Sequence, residues 1–271
     1  MNIGIVGLGL MGASFAKGFS QYHVIGYDVD PTLNKQAFDD DVIDEQAGSV
    51  LALIEQSDWI LVCLYPEATK DFFITYKDQF KPGQIISDIA GVKTLFEDLV
   101  PKEGVDYVFI HPIAGRAKSG YQNHDETMFR GANCIITTAS FNQPNNISKV
   151  KQYLKQLGFA DVSTMTMKEH DERIAYTSQL THAIAVGLMN TAQDLKFAPI
   201  IGDSYRDLTR IARINEVMWS ELFVLNQTAL LGQLDEFIQQ MVTLRNALSK
   251  SDKATLENIL KHARIKREQL P

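Results

Sequence analysis

The sequence predicts an α/β fold, a Rossmann-type doubly wound and mostly parallel sheet followed by an all-helical C-terminal domain, and three observations predict it. Over the first 166 residues, short β-branched runs alternate with amphipathic stretches, the pattern of βαβ units with helices on both faces of a sheet. From about Met167 onward only helical periodicity remains. Between the first run and the first helix lies "GIVGLGLMGASFA", in which Gly7, Gly9 and Gly12 have the G-x-G-x-x-G spacing of a phosphate-cradling loop. The predicted division is residues 1–166 for the sheet domain and 167–271 for the helical one.

Each element follows from its local pattern. "NIGIVG" reads as the first strand, with a helix from about Leu10; "HVIGYD" is the second, with a helix from about Pro31. "DWILVCL" leads into the helical "PEATKDFFITYKDQF", and "QIISDI" into "VKTLFEDLV". "YVFI" and "CIITT" are further strands, and "ISKVKQYLKQLG" a helix before "DVSTMT". Four long helical stretches fill the remainder: "KEHDERIAYTSQLTHAIAVGLMNTAQDL", "SYRDLTRIARI", "EVMWSELFVLNQTALLGQLDEFIQQMVTLRNALS" and "KATLENILKHARIKREQ". No linker rich in glycine or proline separates the halves, which predicts tight packing between them.

Composition narrows the function classes. The 271 residues are 45% hydrophobic and 22% charged, enough for two domains with cores of their own. The net charge is −7 and no block of five like charges occurs, which argues against a nucleic-acid surface or a polybasic membrane patch. An anion bound by so acidic a chain must meet locally placed cations. Cys63 and Cys134 lie in apolar runs at no metal or disulfide spacing and read as buried hydrophobes in a reducing compartment. The N-terminus lacks the cationic start of a signal peptide, and no apolar run reaches bilayer length, so a cytoplasmic location is expected. No internal repeat or low-complexity tract is present.

The glycine loop has its full context: a strand before it, a helix after it, and a second strand ending in Asp28 about 20 residues on. The first glycine permits the turn, the second admits a pyrophosphate to the backbone, and the third lets helix and strand approach. Gly7, Leu8, Gly9, Leu10, Met11, Gly12 and Asp28 are therefore the predicted cofactor-binding set. A carboxylate at Asp28 suits ribose hydroxyls and repels a 2′-phosphate, and the following Val29 and Asp30 offer no arginine, so NAD is favoured over NADP.

Arg206, Arg210 and Arg213 recur at spacings of four and three, which on one helix directs all three to one face. Two readings stand: a solvated face paired with Asp203 and Asp207, or a receptor for a carboxylate, with Trp219 as a pocket wall. Among six histidines, no pair combines with carboxylates at metal-ligand spacing, and no metal is assigned. His182 lies in the apolar "LTHAIAVGL", where a buried, hydrogen-bonded imidazole is the ordinary explanation. His111 ends the run "YVFI", on the side of the sheet where open α/β folds bind ligands. It is either a strand cap or a general base for a hydroxyl proton near neutral pH.

Taken together, "GLGLMGASFA" with "GYD", "SDIAGVK" at 87–93, "HPIAGRAKSG" at 111–120, "SQLTHAIAVGL" at 178–188 and "DLTRIARINEVMW" at 207–219 resemble the prephenate dehydrogenase family, which includes arogenate dehydrogenases. The resemblance covers nearly the whole chain. It implies NAD-dependent oxidative decarboxylation of prephenate to 4-hydroxyphenylpyruvate in tyrosine biosynthesis, or of arogenate to tyrosine. It further implies that His111 is the catalytic histidine bonding the ring hydroxyl, that His182 lies in the substrate pocket, and that Arg210 binds a substrate carboxylate. Ser178 and Trp219 join the expected substrate-binding set, as does Arg116; Arg116 and Lys118 either meet a dianionic substrate or face solvent. The helical half is expected to bind substrate and to pair in a homodimer, and the chain's ends suggest a monofunctional form without mutase or regulatory domain.

Two departures from the family pattern concern the site. "DIAGVK" puts Gly91 where a serine is expected beside the catalytic histidine, and "SQLTH" replaces a histidine by Gln179 and a proline by Thr181. Two rival readings are weaker. A 3-hydroxyacid or imine dehydrogenase lacks support because no lysine lies between Lys168 and Lys196, and a non-catalytic NAD-binding sensor would show no turnover.

Overall fold

The computed structural model describes residues 1–115 and 120–270. The first half runs β1 (Asn2–Val6), α1 (Leu10–Gly18), β2 (His23–Tyr27), α2 (Pro31–Asp39), β3 (Glu45–Gln46), α3 (Val50–Gln56), β4 (Trp59–Val62) and α4 (Pro66–Tyr76). It continues with β5 (Ile85–Asp88), β6 (Asp106–Tyr107), β7 (Phe109–Ile113), β8 (Asn133–Thr138), α5 (Pro144–Gln156) and β9 (Asp161–Thr166). Helices follow: α6 (Met167–Ile174), α7 (Leu180–Asn190), α8 (Asp203–Thr209), α9 (Glu216–Leu225), α10 (Gln227–Ser249) and α11 (Lys253–Glu268).

Six parallel strands lie in the order β3-β2-β1-β4-β5-β6, the doubly wound arrangement whose strand order reverses between β1 and β4. The register aligns Ile3 with Trp59 and Ile5 with Leu61, and these residues are fully buried. Their continuous apolar runs suit a sheet covered on both faces. On one side Phe15, Phe19 and Trp59 pack with Phe129 and Leu154; on the other Phe73, Phe96, Tyr107 and Phe109 pack together. Burial pushes both cysteine thiols up, Cys134 to about 12, so both are inert apolar fillers.

The run "YVFI" is not one strand of this sheet. Tyr107 closes β6 beside β5, and from Phe109 the chain enters a separate three-stranded sheet, β7-β8-β9, where β7 is antiparallel to β8. His111 accordingly sits in the middle of β7, opposite Ile135, rather than at the end of a main-sheet strand.

Four expected helices are broken, each for a local reason. "VKTLFEDLV" forms only a 3₁₀ turn, Thr94–Phe96, because the amides of Lys93 and Thr94 donate to the Asp171 carboxylate. The stretch after Met167 is interrupted by a π-helical segment, Ala175–Gln179, a form often found at functional sites. "SYRDLTRIARI" leaves α-helical geometry after Thr209, so Arg210 begins a 3₁₀ turn and Arg213 lies beyond it; the three arginines share no single helical face. α9 and α10 are separated at Asn226, whose buried amide donates to Asp171 O and Gln179 Oε1. β9 ends at Thr166, and Thr166 caps α6 with a reciprocal bond to Glu169. No described helix is long and apolar enough to cross a membrane.

Candidate active site

The glycine loop joins β1 to α1 at the carboxyl end of the sheet. Gly7 has φ +89°, and a Cβ there would lie 2.6 Å from the Cys63 carbonyl oxygen; a Cβ on Gly12 would overlap the carbonyl of Gly7. Nothing stands within 4 Å of the Cβ position of Gly9. That open edge, and an α1 N-terminus with no side-chain cap, leave backbone N–H groups at Leu10, Met11 and Gly12 available to an anion. Asp28 accepts from Leu8 N at 2.8 Å and Asp30 N at 3.0 Å, which fixes the carboxylate beside the loop while leaving lone pairs for further donors. A cleft of about 270 Å³ lined by Val6, Gly7, Tyr27, Asp28, Val50, Leu64 and Tyr76 adjoins it. An open glycine edge, a bare helix terminus and an acidic group at the cleft together fit a dinucleotide.

His111 is held from β7 against the loop that follows β5. A Cβ on Gly91 would lie 3.6 Å from His111 Nε2 and 3.3 Å from Leu222 Cδ2, so the imidazole edge faces that loop where α9 packs against it. The other ring nitrogen, Nδ1, lies 2.8 Å from His170 Nε2, and His170 Nδ1 lies 2.6 Å from Asp171 Oδ1. Burial, then His170, then Lys93 hold the His111 pKa well below the ordinary histidine range, so the ring is neutral at pH 7. Lys93 is fully buried, and its three donors meet both oxygens of Asp88 and the carbonyl of Ile110. Burial pushes Lys93 down and Asp88 up, each opposed by the other's charge, and the matched pair fastens the 88–93 loop to β7.

The helical half contributes a second cluster. His182 stacks on Trp219 with ring centroids 3.7 Å apart, and its Nδ1 donates to the carbonyl of Ser178 at 2.9 Å. Because a carbonyl only accepts, the neutral ring carries its proton on Nδ1 and leaves Nε2 as an acceptor. Burial first, and the nearby Arg210 charge, lower the His182 pKa, while the Ser178 bond opposes them. Trp219 and Leu222 are three residues apart on α9, which brings this cluster to the same helix that borders His111. Arg206 pairs with Asp203 at 2.7 Å, the solvated reading, whereas Arg210 is exposed beside His182. α9 is tied to the start of α4 by Asn215 Nδ2 donating to Tyr65 Oη and Glu67 N donating to Glu221.

Gln179 proves to be a buried strut, donating to Leu222 O and accepting from Asn226, and Thr181 is exposed with its hydroxyl on Ser178 O. Arg116 and Lys118 lie outside the described residues. Sequence reasoning missed His170, Asp171 and Lys93. Their signal was present: Met167, His170, Asp171, Ile174 and Ala175 occupy the buried stripe of a helix, and a His-Asp pair on such a stripe needs partners. Among the described residues, no group of three or more His, Cys, Asp or Glu side chains is arranged to hold a metal.

A doubly wound sheet with a glycine loop at its switch point, joined to a helical half that packs beside a part-buried imidazole, defines a nucleotide-binding protein of dehydrogenase architecture. The chain belongs to the prephenate dehydrogenase family: residues 13–162 match the family's nucleotide-binding domain and residues 166–262 its dimerization domain. It is 26% identical to the prephenate dehydrogenase of Bacillus subtilis, with 98% of this chain and 75% of the relative covered. It is also 26% identical to the cyclohexadienyl dehydrogenase of Zymomonas mobilis, covering 93% and 89%. A crystal structure of prephenate dehydrogenase from A. aeolicus, in complex with hydroxyphenyl propionate and NAD+, superimposes with a TM-score of 0.88 at 25% identity, covering 100% of this chain and 98% of that one.

Proposed function

We propose that this chain is an NAD-dependent dehydrogenase that oxidatively decarboxylates prephenate to 4-hydroxyphenylpyruvate in tyrosine biosynthesis. The observation that carries the reading is a neutral, part-buried imidazole, His111, whose Nε2 edge lies where the sheet domain meets the α9 helix that bears Trp219.

Residues 1–166 hold the cofactor and residues 167–271 the substrate. The amides from Leu10 to Gly12 at the α1 N-terminus receive the diphosphate over the open edge of Gly9, and Asp28 receives the ribose hydroxyls, which selects NAD over NADP. When bound, NAD supplies the hydride acceptor. His111 accepts the ring hydroxyl proton at Nε2, which raises electron density on the ring oxygen and favours departure of hydride from the carbon that bears it. Loss of CO2 from the opposite ring carbon then gives an aromatic ring, and the proton held by His111 returns to the phenolic oxygen, so no net proton is consumed. Arg210 binds a substrate carboxylate through its guanidinium fork, and His182 with Trp219 walls the ring, Ser178 holding His182 in place. Arg116 is a candidate second cation on sequence grounds.

The family's dimerization domain supports a homodimer, and two free cysteines fit a reducing, cytoplasmic setting. The test is NADH formation on adding prephenate or arogenate, with NAD and NADP compared. A higher kcat/KM with prephenate and NAD is expected. Preference for arogenate would move the assignment within the family, and no turnover with either substrate would overturn it.

A further inference from the structure

The imidazole of His111 is gripped from one side. Among the described residues its ring hydrogen bond runs to His170, and Gly91 brings no side chain to the opposite edge. Behind His170 stands Asp171, nearly buried, which also accepts from Lys93 N, Thr94 N and the Thr94 hydroxyl. Burial raises the Asp171 pKa, but the bonds from His170 and Thr94 outweigh it and hold the group below the ordinary carboxylate range, so it is ionised at pH 7.

The protons can be assigned from this end. An ionised carboxylate only accepts, so His170 donates from Nδ1. The buried His170 ring is kept neutral, burial lowering its pKa against the opposing bond from Asp171. Its Nε2 is therefore bare and can only accept, and His111 must donate from Nδ1. The remaining nitrogen of a neutral His111, Nε2, is left with a free lone pair on the edge that faces Gly91.

We propose that Asp171 and His170 are positioning residues that form a buried carboxylate-imidazole-imidazole relay, locking His111 in the one tautomer able to take a proton at Nε2. This rests on the functional reading above for its consequence, though not for its geometry. When Nε2 takes the hydroxyl proton, the positive charge on His111 is shared through the Nδ1 bond with His170 and, behind it, Asp171. The other charged or titratable groups around His111 are Lys93, neutralised by Asp88 at the end of β5, and Cys134 on β8. None of them contacts Nδ1 in the described structure. Orienting carboxylates of this kind act through tautomer and direction, and their loss costs orders of magnitude in turnover with little change in binding.

The experiment has two arms. Nitrogen-15 NMR of histidine-labelled protein without substrate is expected to show His111 protonated at Nδ1 and bare at Nε2, and to show Nε2 protonation or a tautomer mixture in Asp171→Asn. Wild-type His111 protonated at Nε2 would overturn the proposal whatever the enzyme's activity. In the kinetic arm, His170→Leu is expected to lower kcat roughly 100-fold with KM within about threefold. His170→Gln, whose amide oxygen can still accept from Nδ1, should restore most of that loss. Equal loss in both variants, or no loss in His170→Leu, counts against the relay. Should His170→Leu fail to fold, as judged by NAD binding, the wild-type spectrum and His170→Gln still decide. Absence of turnover in the wild type would sink the functional reading alone, leaving the tautomer measurement standing.

Discussion

The sheet-bearing half buries Ile3, Ile5, Phe15, Trp59, Phe73 and Phe109 completely, whereas the helical half leaves Ile200, Val217, Val224, Leu231, Ile238 and Leu260 more than half exposed. Each large aliphatic side chain taken from water is worth about 1.5–3 kcal/mol, so the second half forgoes a large share of the stabilisation its composition offers. Few of its residues, among them Leu222, Leu230 and Ala247, are buried. The first half is a finished core, and the second half leaves apolar surface uncovered, in keeping with its match to a dimerization domain. Chemistry divides along the same line. The imidazole proposed to take a proton stands on the finished half, while the groups proposed to recognise substrate stand on the half with the exposed apolar surface.

That division makes a kinetic prediction with the largest effect first. His111→Asn removes the proton acceptor from a rigid strand and should lower kcat by about 10³-fold, within the range for general-base catalysis, while KM changes by less than about threefold. Steady-state kinetics at saturating NAD checks it. A rise in KM with kcat intact would mean that His111 belongs with the recognition groups, and the division would fail.

A second prediction bears on the unfinished half. Leu231 and Ile238 lie seven residues apart on α10 and therefore on one stripe, and both are exposed. Replacing both by Glu places two charges in the apolar surface and should weaken dimer association by at least roughly 100-fold, since stranding a charge in an interface costs several kcal/mol. Light scattering at micromolar concentration should then show monomer. A dimer of unchanged strength would mean that another face of the helical half is covered.

Much of this was legible in the sequence, for reasons that can be named. The glycine loop and Asp28 declare themselves because both depend on local spacing, and a phosphate cradle needs no distant partner. The parallel sheet is legible through its continuous apolar runs. The break after Tyr107 is not, because which strand Phe109 pairs with is decided by β8, some twenty-five residues later. The relay was hidden for a similar reason: His170 and Asp171 look like members of a polar helix until burial is known. Arg210 was set among three arginines on one face, and only the departure from α-helical geometry after Thr209 separates it from Arg206.

Arg210→Gln gives the next effect in size. A charged hydrogen bond to a carboxylate is worth about 1.5–3 kcal/mol, so KM for prephenate should rise roughly 10- to 100-fold with kcat changed by less than about threefold. Arg206→Gln, which breaks only an exposed pair with Asp203, should leave KM within about twofold. Equal responses from the two arginines would return both to the solvated face.

The smallest effect concerns acid stability of the seam where the two halves meet. His111 and His170 have folded pKa values below those of the unfolded chain. As pH falls below about 6.5, the unfolded chain takes up protons that the folded one refuses, and the equilibrium moves toward unfolding. Stability from these two rings is fully present above that pH and is lost progressively down to their folded values. The melting temperature should therefore fall by a few degrees between about pH 7 and 5.5, given roughly 2–4 °C per kcal/mol for a chain of this size. His170→Gln removes one of the two titrations, so its melting temperature, lower at the outset, should depend less steeply on pH over the same range. An unchanged slope would mean that His170 titrates alike in the folded and the unfolded chain, and the neutral seam would have to be abandoned.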